Sequence, residues 1–190
     1  MTDDAPTQRI IYLRAVVDPA ALLHSRTSPA DALAPTDVDA ASGQLIVTSP
    51  VQTSARAAGP VAFAADIGDT VRIYAITGSN NFEEAVLIKD IRRTGTDEPI
   101  EGFAPVELQR SAIVPGADAE MPSIDTADQS FWFWQGTVAG HGIQDCSLVL
   151  ALYARDETGQ PRFAGLYRWD LQLTVSDETA NPEEPEERTS

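Results

Sequence analysis

The 190-residue chain contains one cysteine, two methionines and two histidines, and its 13 basic residues face 29 acidic ones, a net charge of −16 at pH 7. Each scarcity excludes something. Cys146 alone can form no internal disulfide and cannot by itself hold a metal, which agrees with a reducing compartment. A surface this acidic repels phosphate backbones and anionic headgroups, so neither nucleic acid nor a membrane surface is expected as a partner. No stretch approaches the 18 apolar residues that span a bilayer, and Met1 to Pro6 lacks the basic and apolar regions of a secretory signal. The reading is a soluble cytoplasmic protein. There is no GxxxxGK[ST] and no GxGxxG entering a helix, so nucleotide chemistry is not expected.

What the chain does have is a 43% hydrophobic composition, enough for one core. The organisation expected is a flexible N-terminus (1–8), a single domain (9–176) and a disordered acidic tail (177–190). Ile10 to Val17 reads as a strand; Asp18 and Pro19 are a helix cap and first turn, giving a short helix through His24. Short apolar runs follow at Leu45–Thr48, Val61–Ala65, Thr70–Thr77 and Ala85–Ile91, with a strong break at Gly78-Ser79-Asn80-Asn81. Phe103 to Val114 holds one or two extended pieces, and the acidic run on to Gln129 reads as loop. Phe131 to Val138 is aromatic and β-favouring, and Gly140-His141-Gly142 is expected to turn it into a hairpin with Asp145–Tyr153. In the last strand Tyr167, Trp169, Leu171, Leu173 and Val175 alternate with polar residues. Eight or nine short strands and almost no helical periodicity predict an all-β fold, a two-sheet antiparallel sandwich or jelly roll with one short helix after the first strand.

Catalytic constellations are not visible. His24 at a helix end and His141 between glycines sit in no nucleophile motif, and neither they nor Cys146 has metal-ligand spacing with another such residue. Twenty-nine carboxylates make some acid pair inevitable, so their abundance is no sign of a glycosidase. No catalytic residue, metal or cofactor is expected. Two groups remain as ligand-binding candidates. Asn80, Asn81, Glu83 and Glu84 offer amides and carboxylates suited to sugar hydroxyls or calcium, against the plainer reading of an Asn-rich turn. Trp132 and Trp134 share one face of a strand and Phe131 and Phe133 the other, so one pair is expected in the core and the opposite pair in a second layer or an exposed platform.

The order of these motifs resembles the bacterial AidA/PixA inclusion-body proteins. The likeness runs from the opening strand into Asp18-Pro19 and Leu22-Leu23, through Gly68-Asp69-Thr70-Val71-Arg72 and Ser79-Asn80-Asn81-Phe82. It continues with Phe131-Trp132-Phe133-Trp134, Ser147–Tyr153 and Gly165-Leu166-Tyr167-Arg168-Trp169-Asp170, and covers about residues 9 to 176. What the resemblance implies is a non-enzymatic β-sandwich that associates with its own copies, in a family whose members include cytoplasmic crystalline inclusions and quorum-sensing-controlled proteins. This chain departs from the methionine-rich members, having only Met1 and Met121. The alternative left by the residues themselves is a lectin-like module with a glycan ligand, with calcium as a variant.

Overall fold

The computed structural model describes residues 8–25, 34–38, 42–49, 53–56, 60–115 and 124–177. Apart from Gln8 and Asp177, the expected flexible N-terminus and acidic tail lie outside those residues.

The first strand, β1 (Ile10–Val17), alternates Ile11, Leu13, Ala15 and Val17 into the core. It stops where Asp18 caps α1 (Pro19–Ser25): Asp18 Oδ1 accepts from the backbone N–H of Ala20 at 2.9 Å and Ala21 at 3.3 Å. Pro19 lacks the N–H that would be orphaned there, and Leu22 anchors the single apolar face. β2 (Thr36–Asp37), β3 (Gly43–Thr48), β4 (Thr53–Arg56) and β5 (Val61–Ala64) are short. β6 (Thr70–Thr77) and β7 (Ala85–Arg93) flank the Asn turn, and four long strands complete the chain: β8 (Ile100–Pro115), β9 (Ile124–Val138), β10 (Gly142–Arg155) and β11 (Pro161–Ser176).

Two sheets form. One has the order β4-β3-β1-β6-β9-β8; the other runs β2-β11-β10-β7, with β5 also on β11. Their facing apolar sides make one core, including Leu13 and Ile73 from the first sheet and Leu148, Leu150 and Tyr167 from the second. Burying each such side chain contributes about 2 kcal/mol. The expected two-sheet sandwich is present, but its sheets are mixed: β1 runs parallel to β6, and β2 and β5 parallel to β11. Parallel partners are far apart in sequence, so no local turn signal reveals them.

Two local expectations change. β9 and β10 do not form a hairpin, because Ala139–His141 carries the chain from one sheet to the other; β10 pairs with β11 and β7 instead. The acidic stretch before Gln129 is not loop from Ile124 onward, since it pairs with Arg110–Pro115 of β8. Polar residues fit a strand when both faces are wet, and Ile124–Trp132 is exposed throughout.

Candidate functional site

β6 and β9 share a ladder only from Thr70–Thr137 to Ile73–Trp134. Beyond Ile73 they splay, and the gap becomes a cleft. Its inner part, about 250 Å³, lies between Ile73, Ala75, Leu87, Ile88 and Trp134. Its outer part, about 710 Å³, opens between Tyr12, Arg14, Arg72 and Tyr74 on one wall and Leu108, Arg110 and Phe131–Phe133 on the other. Trp134 fixes the floor by donating its indole N–H to the Ile88 carbonyl at 2.9 Å, across the two sheets.

The wall on β1 and β6 follows from parallel register. Tyr12 stands beside Arg72, and Arg14 beside Tyr74, all on the outward face. The Arg72 guanidinium lies 4.6 Å from the Phe133 ring centre and 5.9 Å from that of Tyr12, while its Nε donates to Gln135 Oε1 at 3.0 Å. Arg14 sits 5.5 Å from the Tyr74 ring and donates to its hydroxyl at 2.8 Å. These contacts hold both guanidinium groups against the rings, and Arg72 Nη1 also donates to the Tyr12 hydroxyl at 3.4 Å. Lys89, the chain's single lysine, joins the inner lining. In a molecule of charge −16, the described residues that line the cleft include Arg14, Arg72, Arg110 and Lys89 and no carboxylate.

Asn80, Asn81 and Trp132 meet in the outer cleft, and Trp134 lies in its inner part. Glu83 and Glu84 do not line it. Glu83 pairs with Arg155 at 3.4 Å, and the Glu84 carbonyl accepts from Thr77 Oγ1 at 2.8 Å. Asn81 holds the turn together. Its Oδ1 accepts from Thr77 N and Val86 N at 3.0 and 3.1 Å, while Nδ2 donates to Ala75 O and Val86 O at 3.3 and 3.2 Å. One amide thus replaces the missing rung between β6 and β7, at the corner where the sheets meet. Asn80 and Asn81 hold φ of 56° and 63°, a left-handed conformation that asparagine tolerates.

The aromatic strand divides differently from expectation. Phe133 is buried and Trp134 partly so, whereas Phe131 and Trp132 are exposed at 45% and 58%. Position along β9, not face, decides burial, because β9 leaves the sandwich as it passes Phe133. His24 Nδ1 lies 2.6 Å from the Ala20 carbonyl within its helix, and His141 Nε2 lies 3.0 Å from the Ala65 carbonyl. Cys146 is buried as expected; burial first, then Asp145 and Asp170, push its thiol up to about 12. Among the described residues, no three His, Cys, Asp or Glu converge as a metal site.

Sequence reasoning missed the arginine-aromatic wall. Its signal is Tyr12-x-Arg14 against Arg72-x-Tyr74, complementary pairs that become visible only once β1 and β6 are known to be parallel. It also missed Asp69. Burial alone would raise its pKa, but bonds from Arg9 N, Asp66 N and the Arg9 guanidinium hold it below the ordinary carboxylate value. Asp69 pins the end of the strand pair opposite the cleft, its backbone accepting from Val138 N at 2.9 Å.

Comparison with known proteins places this architecture. The family model described as PixA, inclusion body protein, matches residues 9–175. The chain belongs to the PixA family. A crystal structure of an inclusion body protein of that family from Burkholderia cenocepacia J2315 superposes with a TM-score of 0.69, at 17% identity, covering 92% of this chain and 99% of that one. At that identity the likeness shows a shared fold. The solution structure of amebosin overlaps 62% of this chain and 88% of its own, at 13% identity and a TM-score of 0.25, too loosely for any argument. No curated protein sequence matches.

Proposed function

We propose that this PixA-family chain is a non-enzymatic structural protein of the cytoplasm whose activity is association with its own copies. The observation that carries this reading is the ribbon formed by the distal parts of β8 and β9. Residues Ile124–Trp132 are all exposed, and among the described residues β9 pairs in this stretch only with β8, which stands at the edge of the sheet. Ile113 and Ile124, each 71% exposed, stand near each other at its tip. An isolated two-stranded ribbon is marginal in water, and an open edge bearing apolar side chains gains from pairing with another molecule.

Light scattering across protein concentration tests this. The average mass should rise with concentration, and a chain carrying Ile113→Lys and Ile124→Lys should remain smaller at every concentration. A wild-type chain that stays monomeric at high concentration in physiological salt sinks the reading.

A second reading, a glycan-binding platform, is favoured by one observation: the exposed Trp132 ring and Asn80 line the same cleft. Glycan-array binding that disappears in Trp132→Ala supports it, and an array without signal, with or without calcium, removes it.

A further inference from the structure

We propose that the arginine-aromatic cleft is a binding site for a small molecule with an apolar body and a carboxylate head, the body entering the inner part and the head resting among the cations of the outer part. The inference goes beyond self-association and does not depend on it. Three observations carry it.

The first is which cations lack a partner. Arg9, Arg92, Arg93, Arg155, Arg162 and Arg168 each form an ion pair with a carboxylate of the chain. Arg14, Arg72, Lys89 and Arg110 form none among the described residues, and all of them line the cleft. With 29 acidic residues against 13 basic ones, a surface cation of this chain meets a carboxylate more readily than it avoids one. Gathering the unpaired cations at one opening leaves a local positive field in a negative molecule, and an anion from solution supplies the missing charge.

The second is the state of the donors. Arg72 commits Nε to Gln135 and Nη1 to the Tyr12 hydroxyl, and Arg14 commits Nε to the Tyr74 hydroxyl. Arg72 Nη2 and both Nη atoms of Arg14 then have no acceptor among the described residues. Because the Tyr74 and Phe133 rings already hold these guanidinium groups, at 5.5 and 4.6 Å, a carboxylate that accepts from them requires little further ordering of the side chains. Arg110 is exposed on the facing wall, on β8 opposite Gln129.

The third is what lies behind the cations. Tyr74, Ala75, Leu87, Trp132 and Phe133 line both parts of the cleft, so the outer opening leads without a break to the inner part of about 250 Å³. There the lining is Ile73, Ile88 and Trp134, and Trp134 already spends its indole N–H on the Ile88 carbonyl at 2.9 Å. A ring or a short alkyl chain against these side chains leaves water, whereas a charged or heavily hydroxylated group placed there loses its hydration. Apolar depth with a few polar groups at the mouth is the usual form of a small-molecule pocket. The chain's own acidic end matches only half of this site. Residues 177–190 hold carboxylates for the cations but no Val, Leu, Ile, Met, Phe, Tyr or Trp to fill the inner part.

The test is calorimetric titration of the full-length chain with 2-naphthoate and, separately, with octanoate. Binding is expected, and the tighter of the two assigns a flat ring or an alkyl chain to the inner part. The neutral amide of the better ligand should bind about tenfold more weakly. Arg14→Gln and Arg110→Gln, both at exposed positions, should each weaken the carboxylate by about fivefold and leave the amide unchanged. Leu87→Asp, at a half-exposed position of the lining, should abolish binding of both forms while the circular dichroism stays that of the wild type. The chain carrying Ile113→Lys and Ile124→Lys should bind as the wild type does, so that loss of association and loss of binding are read separately. No binding of either carboxylate at about 1 mM, equal binding of the amide, or binding that survives Arg14→Gln combined with Arg110→Gln overturns the assignment. Displacement of the carboxylate by a peptide of residues 177–190 also overturns it, and gives the site to the chain's own acidic segment.

Discussion

The two long hairpins of this protein are built alike and placed differently. β10–β11 and β8–β9 have strands of 14 to 16 residues in continuous antiparallel ladders, each broken by one irregularity. Yet β10 is buried without interruption from Cys146 to Leu152, whereas β9 is exposed from Ile124 to Trp132. The hydrogen bonds are of the same kind in both, so the ladders do not distinguish them. What differs is the apolar surface removed from water, and that is what sets local stability. One hairpin supplies one side of the core, and the other is the contact surface proposed for a second copy.

The sharpest way to break the contrast is to cut the same size of side chain from each hairpin. Leu150→Ala, at a fully buried position, should destabilise by about 3 kcal/mol in urea unfolding. An equal effect from Ile113→Ala would contradict the reading. Asn81→Ala should follow at about 2 kcal/mol, because it strips four hydrogen bonds from the corner where β6 passes into β7. Asn81→Asp should not restore stability, since a carboxylate cannot donate to the Ala75 and Val86 carbonyls.

Asp69 probes the base of the exposed ribbon, where β6 and β9 are still joined. Its folded pKa lies below the unfolded value, so its stabilisation is fully present above about pH 3.9 and is lost as pH falls through the lower folded value. Asp69→Asn should flatten stability against pH across that acid range and lower it by about 1 kcal/mol at neutral pH. A pH profile unchanged by the substitution would remove Asp69 from this role. The smallest effect belongs to Ile113→Ala, which should change stability by under about 0.5 kcal/mol while reducing association.

Close approach explains one further difference between the hairpins. At the root of the ribbon Gly136 faces the β8 irregularity between Glu101 and Ala104, and a Cβ there would lie 2.9 Å from an Ile100 methyl and 3.1 Å from the Glu101 carbonyl oxygen. The glycine lets β8 and β9 bend together as they leave the sandwich.

Much was legible in the sequence because it depends on neighbours along the chain. Alternation placed Val71, Ile73 and Ala75, and likewise Tyr167, Trp169, Leu171, Leu173 and Val175, on core faces, and all are buried. Asp18-Pro19 announced the helix by satisfying its first N–H groups. Asn80-Asn81 announced a turn because asparagine accepts positive φ. The candidate site was legible only in part: Asn80, Asn81 and Trp132 were named and do meet, but Tyr12, Arg14, Arg72, Tyr74 and Arg110 were not.

The sequence by itself determined the all-β class, the helix, most strand positions and the family, since periodicity, capping and motif order are local or linear properties. Only the tertiary structure decided that β1 lies parallel to β6, that β9 crosses to the other sheet from β10, and that half of β9 leaves the core. Strand pairing is a contest among distant segments for the same buried surface, and the pattern within one segment does not record which partner prevails. The cleft exists because that contest leaves β6 and β9 joined at one end alone.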